Sequence, residues 1–306
     1  MTNFCRLIHN LKQYSGEAAF QFQNTPKQNE HCLKNFDLTE YRGILSDIAI
    51  WLFQGIIKDF EKKLNPIIVA AMLEHESLAG ISDQPIKPSG LRSSSFQENK
   101  NSERYTIDSL IKKLTEFLNI LNSHGVDPEI VNQIFKQLFY FIGASTFNNL
   151  MLRKELCHWS KGIELRYNIS HLEQWLRDSK LVDSGAVETL EPVIQASQLL
   201  QARKTDSDIK SICDMCPKLT IAQIQRILFL YTPLETYEEK LTRQFIDKVT
   251  NTLKELRKFE TQQSQQVLIL DTQKQFPVCI PFNPSSIGLE TIELPEQLNL
   301  GFLKKI

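Results

Sequence analysis

Cys213-Asp214-Met215-Cys216 is the only stretch of this 306-residue chain whose spacing suits metal or redox chemistry. A structural zinc takes four ligands, and no second cysteine pair follows at a zinc-finger interval. A redox pair belongs where a strand turns into a helix, whereas this one closes a short acidic helix ahead of Pro217. Two inert thiols are therefore expected, with no metal. The six histidines are scattered. His158 adjoins Cys157, but neighbours on a helix point about 100° apart, which suits neither a dyad nor chelation. No two of the eleven glycines form G-x-G, and there is no G-x-S-x-G; the dinucleotide fingerprint, the P-loop and the nucleophile elbow are all absent. The sequence thus offers no catalytic residue and requires no cofactor.

What remains is charge and aromatic surface on helices. From Phe141 to Leu200, apolar residues at Leu152, Leu156, Trp159, Ile163, Tyr167, Leu172, Trp175 and Leu176 recur at steps of three and four. That period lays them on one stripe of an α-helix. With no proline before Pro192, one long helix is expected from about residue 132 to about 178. Arg153, Lys154, Lys161 and Arg166 lie off the stripe, on a solvated face or a docking surface. The aromatics follow the apolar stripe and read as core, which argues against nucleic-acid stacking.

The rest of the chain must position that stretch. Phe4 to Tyr14 reads as a short helix, followed by a polar, glutamine-rich connection. Leu38 to Glu76 reads as a helix apolar enough to be buried on most sides, with Pro66 kinking or restarting it. Residues 78–104 hold Pro85, Pro88, Gly90 and Ser93-Ser94-Ser95, which mark a long loop. Arg92 stands three residues before Ser95, an offset that suits basophilic kinases, so Ser93, Ser94 and Ser95 are candidate phosphorylation sites. Thr106 to Leu121 is amphipathic and stops at Gly125, and Asp127-Pro128 starts the next helix. A helix is expected from Ala186 to Arg203. Thr205 with Asp208, Thr220 with Gln223, and Thr236 with Glu239 each fit a capping box. The last helix is expected over Tyr237 to Phe259. Beyond it four prolines forbid regular helix in an apolar tail, which must therefore lie back across the helices as a strap.

Bulk properties bound the class. The 35 basic and 36 acidic side chains leave a net charge of -1, which gives no general steering toward nucleic acid or membrane. No signal peptide is visible, and the most apolar stretch, Ile44 to Ile57, is shorter than a bilayer requires. A soluble, cytoplasmic protein with reduced cysteines is expected. Asn168-Ile169-Ser170 fits a glycosylation acceptor, but it lies in mid-helix.

Four strings carry a family resemblance. They are WSKGIELRYNISHLEQWLRD (159–178), SGAVETLEPVIQASQLLQ (184–201), ICDMCPKLTIAQIQRILFLYTP (212–233) and FPVCIPFNPSSIGLETIELP (276–295). The sequence resembles the C-terminal globular tail, or dilute domain, of class V myosins, in order over essentially the whole chain. RSSSFQENKNSE and FLYTPLETYEEKLTRQF lean toward the myosin-Vc type. The resemblance implies an all-α fold: an elongated two-subdomain helical bundle joined by a long helix, with an extended C-terminal strap. The expected partition is residues 1–145, residues 146–260, and a segment 261–306 packing back on the first subdomain.

The resemblance also implies a function. Such a tail attaches cargo to an actin-based motor through adaptor proteins and Rab-type small GTPases. It also folds onto its own motor head and inhibits it. Lys154 and Arg226 fall where the family docks on the head, and Tyr167 and Gln201 fall where it binds Rab. Membrane contact would be indirect, through vesicle-bound partners. The fragment is expected to be monomeric, and the full protein dimeric through a coiled coil outside this chain. The alternative is a helical-bundle subunit of a vesicle-tethering complex.

Overall fold

The computed structural model describes residues 1–22, 24–33, 37–75, 105–233, 241–258 and 266–282, with Gln297 and Asn299. Among them every regular element is helical. In chain order these are α1 (Thr2–Gln13), α2 (Ala18–Gln21), α3 (Pro26–Glu30), α4 (Thr39–Val69), α5 (Ile107–Ser123), α6 (Pro128–Leu152), α7 (Trp159–Asp178), α8 (Ala186–Thr189), α9 (Glu191–Gln201), α10 (Ile209–Met215), α11 (Ile221–Leu230) and α12 (Arg243–Leu256). The protein is all-α.

The chain divides into two compact units. One comprises Met1–Gly55, His124–Ile130 and Val278–Ile306; the other comprises Ile56–Ser123 and Val131–Pro277. In the first, Cys5, Ile8 and Ala49 form a small core on which Ile280 packs. Phe282 is edged by His9, Phe20 and Phe22. Thr25 and Gln28 build a capping box at the start of α3, inside the stretch that reads as mere connection.

The second unit holds the larger core. Phe135, Phe139, Phe147, Leu64, Ile68, Leu110 and Leu114 are fully buried. Phe60 stacks on Phe117 with centroids 4.0 Å apart. The indole of Trp175 packs beside Phe135 and donates to Thr115 Oγ1 at 2.9 Å, so its one polar atom is satisfied. α7 and α9 pack together, and Gly162 permits their approach. A Cβ there would stand 2.9 Å from both Leu200 Cβ and Ser197 O.

Several expectations are corrected. The single helix over 132–178 is two helices, α6 and α7, separated by a 3-10 turn at Lys154–Leu156. The break is stabilised from outside. Thr232 N–H donates to Cys157 O at 2.8 Å. His158 Nδ1 then accepts the Lys161 N–H at 3.1 Å, capping α7. α4 runs through Pro66 without ending there, and the departure from α geometry comes one turn later as a π-turn, Ala70–Glu74. Asn168 from α7 takes up carbonyls that this turn releases.

Ala186–Arg203 is likewise two helices, with Pro192 in the first turn of the second. Of the three expected capping boxes, Thr220–Gln223 forms. Thr205 makes no cap bond and turns its hydroxyl to the Asp208 carboxylate instead. The third lies outside the described residues. The last helix starts at Arg243, capped by Thr242, later than expected.

Residues 266–277 lie extended on α6 and α11. Gln137, which is buried, donates to Lys274 O at 2.7 Å and accepts from Phe276 N–H at 3.0 Å. Asn148 likewise brackets Leu270, donating to its carbonyl and accepting from its N–H, both at 2.8 Å. Thr220 and Gln223 donate to Val267 O and Leu268 O. Side-chain amides and one hydroxyl thus supply the backbone partners that a neighbouring strand would give.

Candidate functional site

Lys154 and Arg226, far apart in sequence, line one cleft of about 760 Å³. Lys154 opens the 3-10 turn between α6 and α7 and is exposed. Arg226 projects from α11, whose Ala222, Arg226 and Phe229 share a face by helical spacing. Arg243, the first residue of α12, adds a third cation, and Asp247 on the same helix is the only carboxylate in the described lining.

The two sequence-derived cations are not equivalent. Arg226 is half-buried, and its Nε–H donates to Met151 O at 3.2 Å, so it also satisfies a carbonyl at the C-terminal end of α6. Lys154 by contrast is a solvated charge. Arg153, next to Lys154, is tied to Glu74 at 2.6 Å and Glu155 at 2.9 Å. Lys161 does not belong to the basic face: it is buried and ion-paired with the equally buried Glu164.

Tyr167 and Gln201 lie on the paired helices α7 and α9. Tyr167 is 38% exposed, and its ring meets His171 edge-on at 4.5 Å. Gln201 is half-buried, its amide donating to Gly162 O at 3.0 Å and Ser197 O at 3.1 Å. Its carboxamide is therefore fixed by the α7–α9 contact. Trp159, at 45% exposure, and Leu152, at 67%, also face outward. Leu152, Trp159 and Tyr167 of the apolar stripe are surface while Leu156 is buried, and the core side of α7 is Leu165, Ile169, Leu172, Trp175 and Leu176.

Cys213 and Cys216 are both buried; burial raises the first and pushes the second up to about 12. Burial likewise takes Cys157 to about 12. His158 is held down to about 4, by burial first and by the nearby Lys161 second. Among the described residues no group of His, Cys, Asp and Glu is placed to hold a metal ion, and no helix is long and apolar enough to cross a membrane. Asn168 is fully buried, so the glycosylation acceptor is closed. Ser93, Ser94 and Ser95 lie outside the described residues.

Sequence reasoning missed Phe229 and Arg243. Phe229 is 69% exposed on the cleft rim. An apolar residue within an apolar helix looks like core, and only the packing of α11 shows otherwise. It also missed an outward face on α4, where Tyr41, Ile44 and Trp51 are 55%, 53% and 71% exposed, although that helix reads as buried on most sides.

An all-helical body with a cationic cleft and an exposed ring on its rim has the outline of a helical interaction domain, and residues 133–235 match the DIL domain family. Unconventional myosin-Va of Gallus gallus is 51% identical over 309 residues, covering all of this chain and 16% of that protein. Unconventional myosin-Vc of Homo sapiens is 45% identical, covering all of this chain and 17% of that protein. A solved structure of Myo2-GTD in complex with Mmr1 superposes with a TM-score of 0.64 at 20% identity, over 97% of this chain and 70% of that one. The chain belongs to the class V myosin family, as its non-catalytic globular tail. It spans about one sixth of the length of the curated relatives it matches.

Proposed function

We propose that this tail carries cargo for an actin-based motor. It binds organelle adaptor proteins and a Rab-type small GTPase, and it docks on its own motor head to hold the motor inactive without cargo. The docking arm rests on one observation: two cations from separate elements, Lys154 and Arg226, converge on one cleft. Lys154 is exposed, and among the described residues it has no ion-pair partner. The test is inhibition of the isolated motor head's ATPase by added tail. Lys154→Glu should relieve inhibition, and full inhibition by that variant would remove the cleft from the docking site.

The Rab arm is supported by an exposed tyrosine on α7 and a fixed carboxamide on α9, the two helices that pack together, the kind of rigid anchor that interfaces favour. Tyr167→Glu should weaken Rab binding in titration calorimetry; wild-type affinity rejects the assignment. The adaptor arm is supported by analogy with Myo2-GTD, whose structure is of a complex with Mmr1. On this reading the protein works in the cytoplasm, reaches vesicles and actin through its partners, is monomeric as this fragment, and dimerises through a coiled coil elsewhere in the full protein.

A further inference from the structure

Two residues of the cleft remain unused by the docking reading. Phe229 presents its ring at 69% exposure on the rim. Purely electrostatic docking has no use for an exposed phenyl ring, which stays in contact with water until a partner covers it. Arg243 stands in the first turn of α12, where a cation opposes the helix dipole and no acidic residue offsets it. Its one acidic neighbour in the described lining is Asp247, a turn further along the same helix. Among the described residues neither Arg243 nor Lys154 has a hydrogen-bond or ion-pair partner, and Arg226 uses its Nε on Met151. Three cations face one carboxylate, Asp247, so the described lining carries an excess of two positive charges around the exposed ring of Phe229 and the half-buried Ala222.

We propose that this cleft takes an acidic protein segment that inserts an apolar side chain against Phe229, with Arg243 acting alongside Lys154 and Arg226 as the third cation. The inference rests on the docking reading and deepens it. It says what the docked part of the motor head must be, namely carboxylates flanking an exposed apolar residue, and which tail residue discriminates it from a merely acidic surface. The cations supply attraction and orientation, which salt screens. The ring supplies contact that salt does not screen.

The experiment measures the affinity of the intact tail for the isolated motor head across a salt series, for Lys154→Glu, Arg243→Glu, Phe229→Ser and Phe229→Leu. Phe229→Ser should weaken binding by about 10-fold or more at every salt concentration, as loss of an interface anchor does, while Phe229→Leu stays near wild type. Arg243→Glu should weaken binding most at low salt and flatten the salt dependence. If Phe229→Ser and Arg243→Glu both bind as wild type while Lys154→Glu does not, the inference falls and the docking reading stands. If all four bind as wild type, the docking reading falls and takes the inference with it. Phe229 is exposed, so its substitutions leave the core untouched, and circular dichroism of each variant verifies this.

Discussion

Asn168, with no exposed surface, donates its side-chain amide to the carbonyl of Met72 at 3.2 Å and to that of Ala71 at 3.4 Å. The acceptors belong to the π-turn that ends α4, and the donor sits mid-way along α7. Both carbonyls stand in the last turn before the chain becomes extended at His75, where carbonyls have no donor from within the helix. Buried carbonyls left without partners would each be costly. One carboxamide thus lets α4 end abruptly against α7. Asn168→Ala should destabilise the tail by about 2 kcal/mol or more in urea unfolding. Asn168→Asp should do at least as much damage, because it turns a carboxylate toward two carbonyls. Unchanged midpoints in both variants would remove the π-turn from this role.

His158 gives the tail a pH dependence. Its Nδ1 accepts a backbone N–H at the start of α7, which requires the neutral ring, and burial with Lys161 holds its pKa down to about 4 from an ordinary 6.5. Between those values the unfolded chain binds a proton that the folded one refuses, so stability rises with pH through that window. It is complete above about pH 6.5 and is lost as the pH falls toward 4. At about 1.4 kcal/mol per pKa unit, the loss comes to about 3 kcal/mol. His158→Asn keeps an N-capping oxygen and should flatten this slope. An equally steep profile in the variant would assign the dependence to other groups.

Lys154 and Arg226 should separate under mutation. Lys154→Glu changes an exposed charge and should alter stability by less than about 0.5 kcal/mol. Arg226→Glu removes the donor to Met151 O and sets a carboxylate beside that carbonyl, so it should cost about 1–3 kcal/mol as well as the docking charge. Arg226→Lys keeps the charge but loses the Nε geometry. Equal midpoints for the two glutamate variants would show that the Met151 contact contributes nothing.

Gly162→Ala places a methyl group 2.9 Å from Leu200 Cβ and from Ser197 O. The helices must then part, at a cost of about 1–3 kcal/mol. Because Gln201 bonds the Gly162 carbonyl, the same change should weaken Rab binding without touching Tyr167. Calorimetry beside thermal unfolding measures both effects, and an unperturbed variant would mean the α7–α9 approach is looser than drawn.

Much of the helical framework was legible in the sequence because it rests on local signals. The 3.6-residue period gave α5 with its inward face at Leu110, Leu114, Phe117 and Leu121. Gly125, with φ of 59°, and Pro128 set the joint before α6. The Thr220–Gln223 box marked the start of α11. What stayed hidden depends on distant partners. The break between α6 and α7 is held by Thr232, some 75 residues downstream, and the π-turn by Asn168. The outward turn of Trp159, Tyr167 and Phe229 is invisible to periodicity, which counts apolar residues without knowing which side a neighbour will cover. For the site, family resemblance supplied Lys154 and Arg226; only the packing of α11 and α12 added Phe229 and Arg243.

The two bonds that Gln137 makes to residues 274 and 276 span almost half the chain. Contacts of such separation form late, because closing a long loop costs entropy before any bond rewards it. During synthesis α6 leaves the ribosome long before its covering segment exists, so its groove waits bare for well over a hundred residues of translation. A nonsense codon between Leu256 and Val267 would therefore yield a product in which α1 to α12 are all encoded yet the groove never closes, the form of the chain that chaperones would be expected to retain.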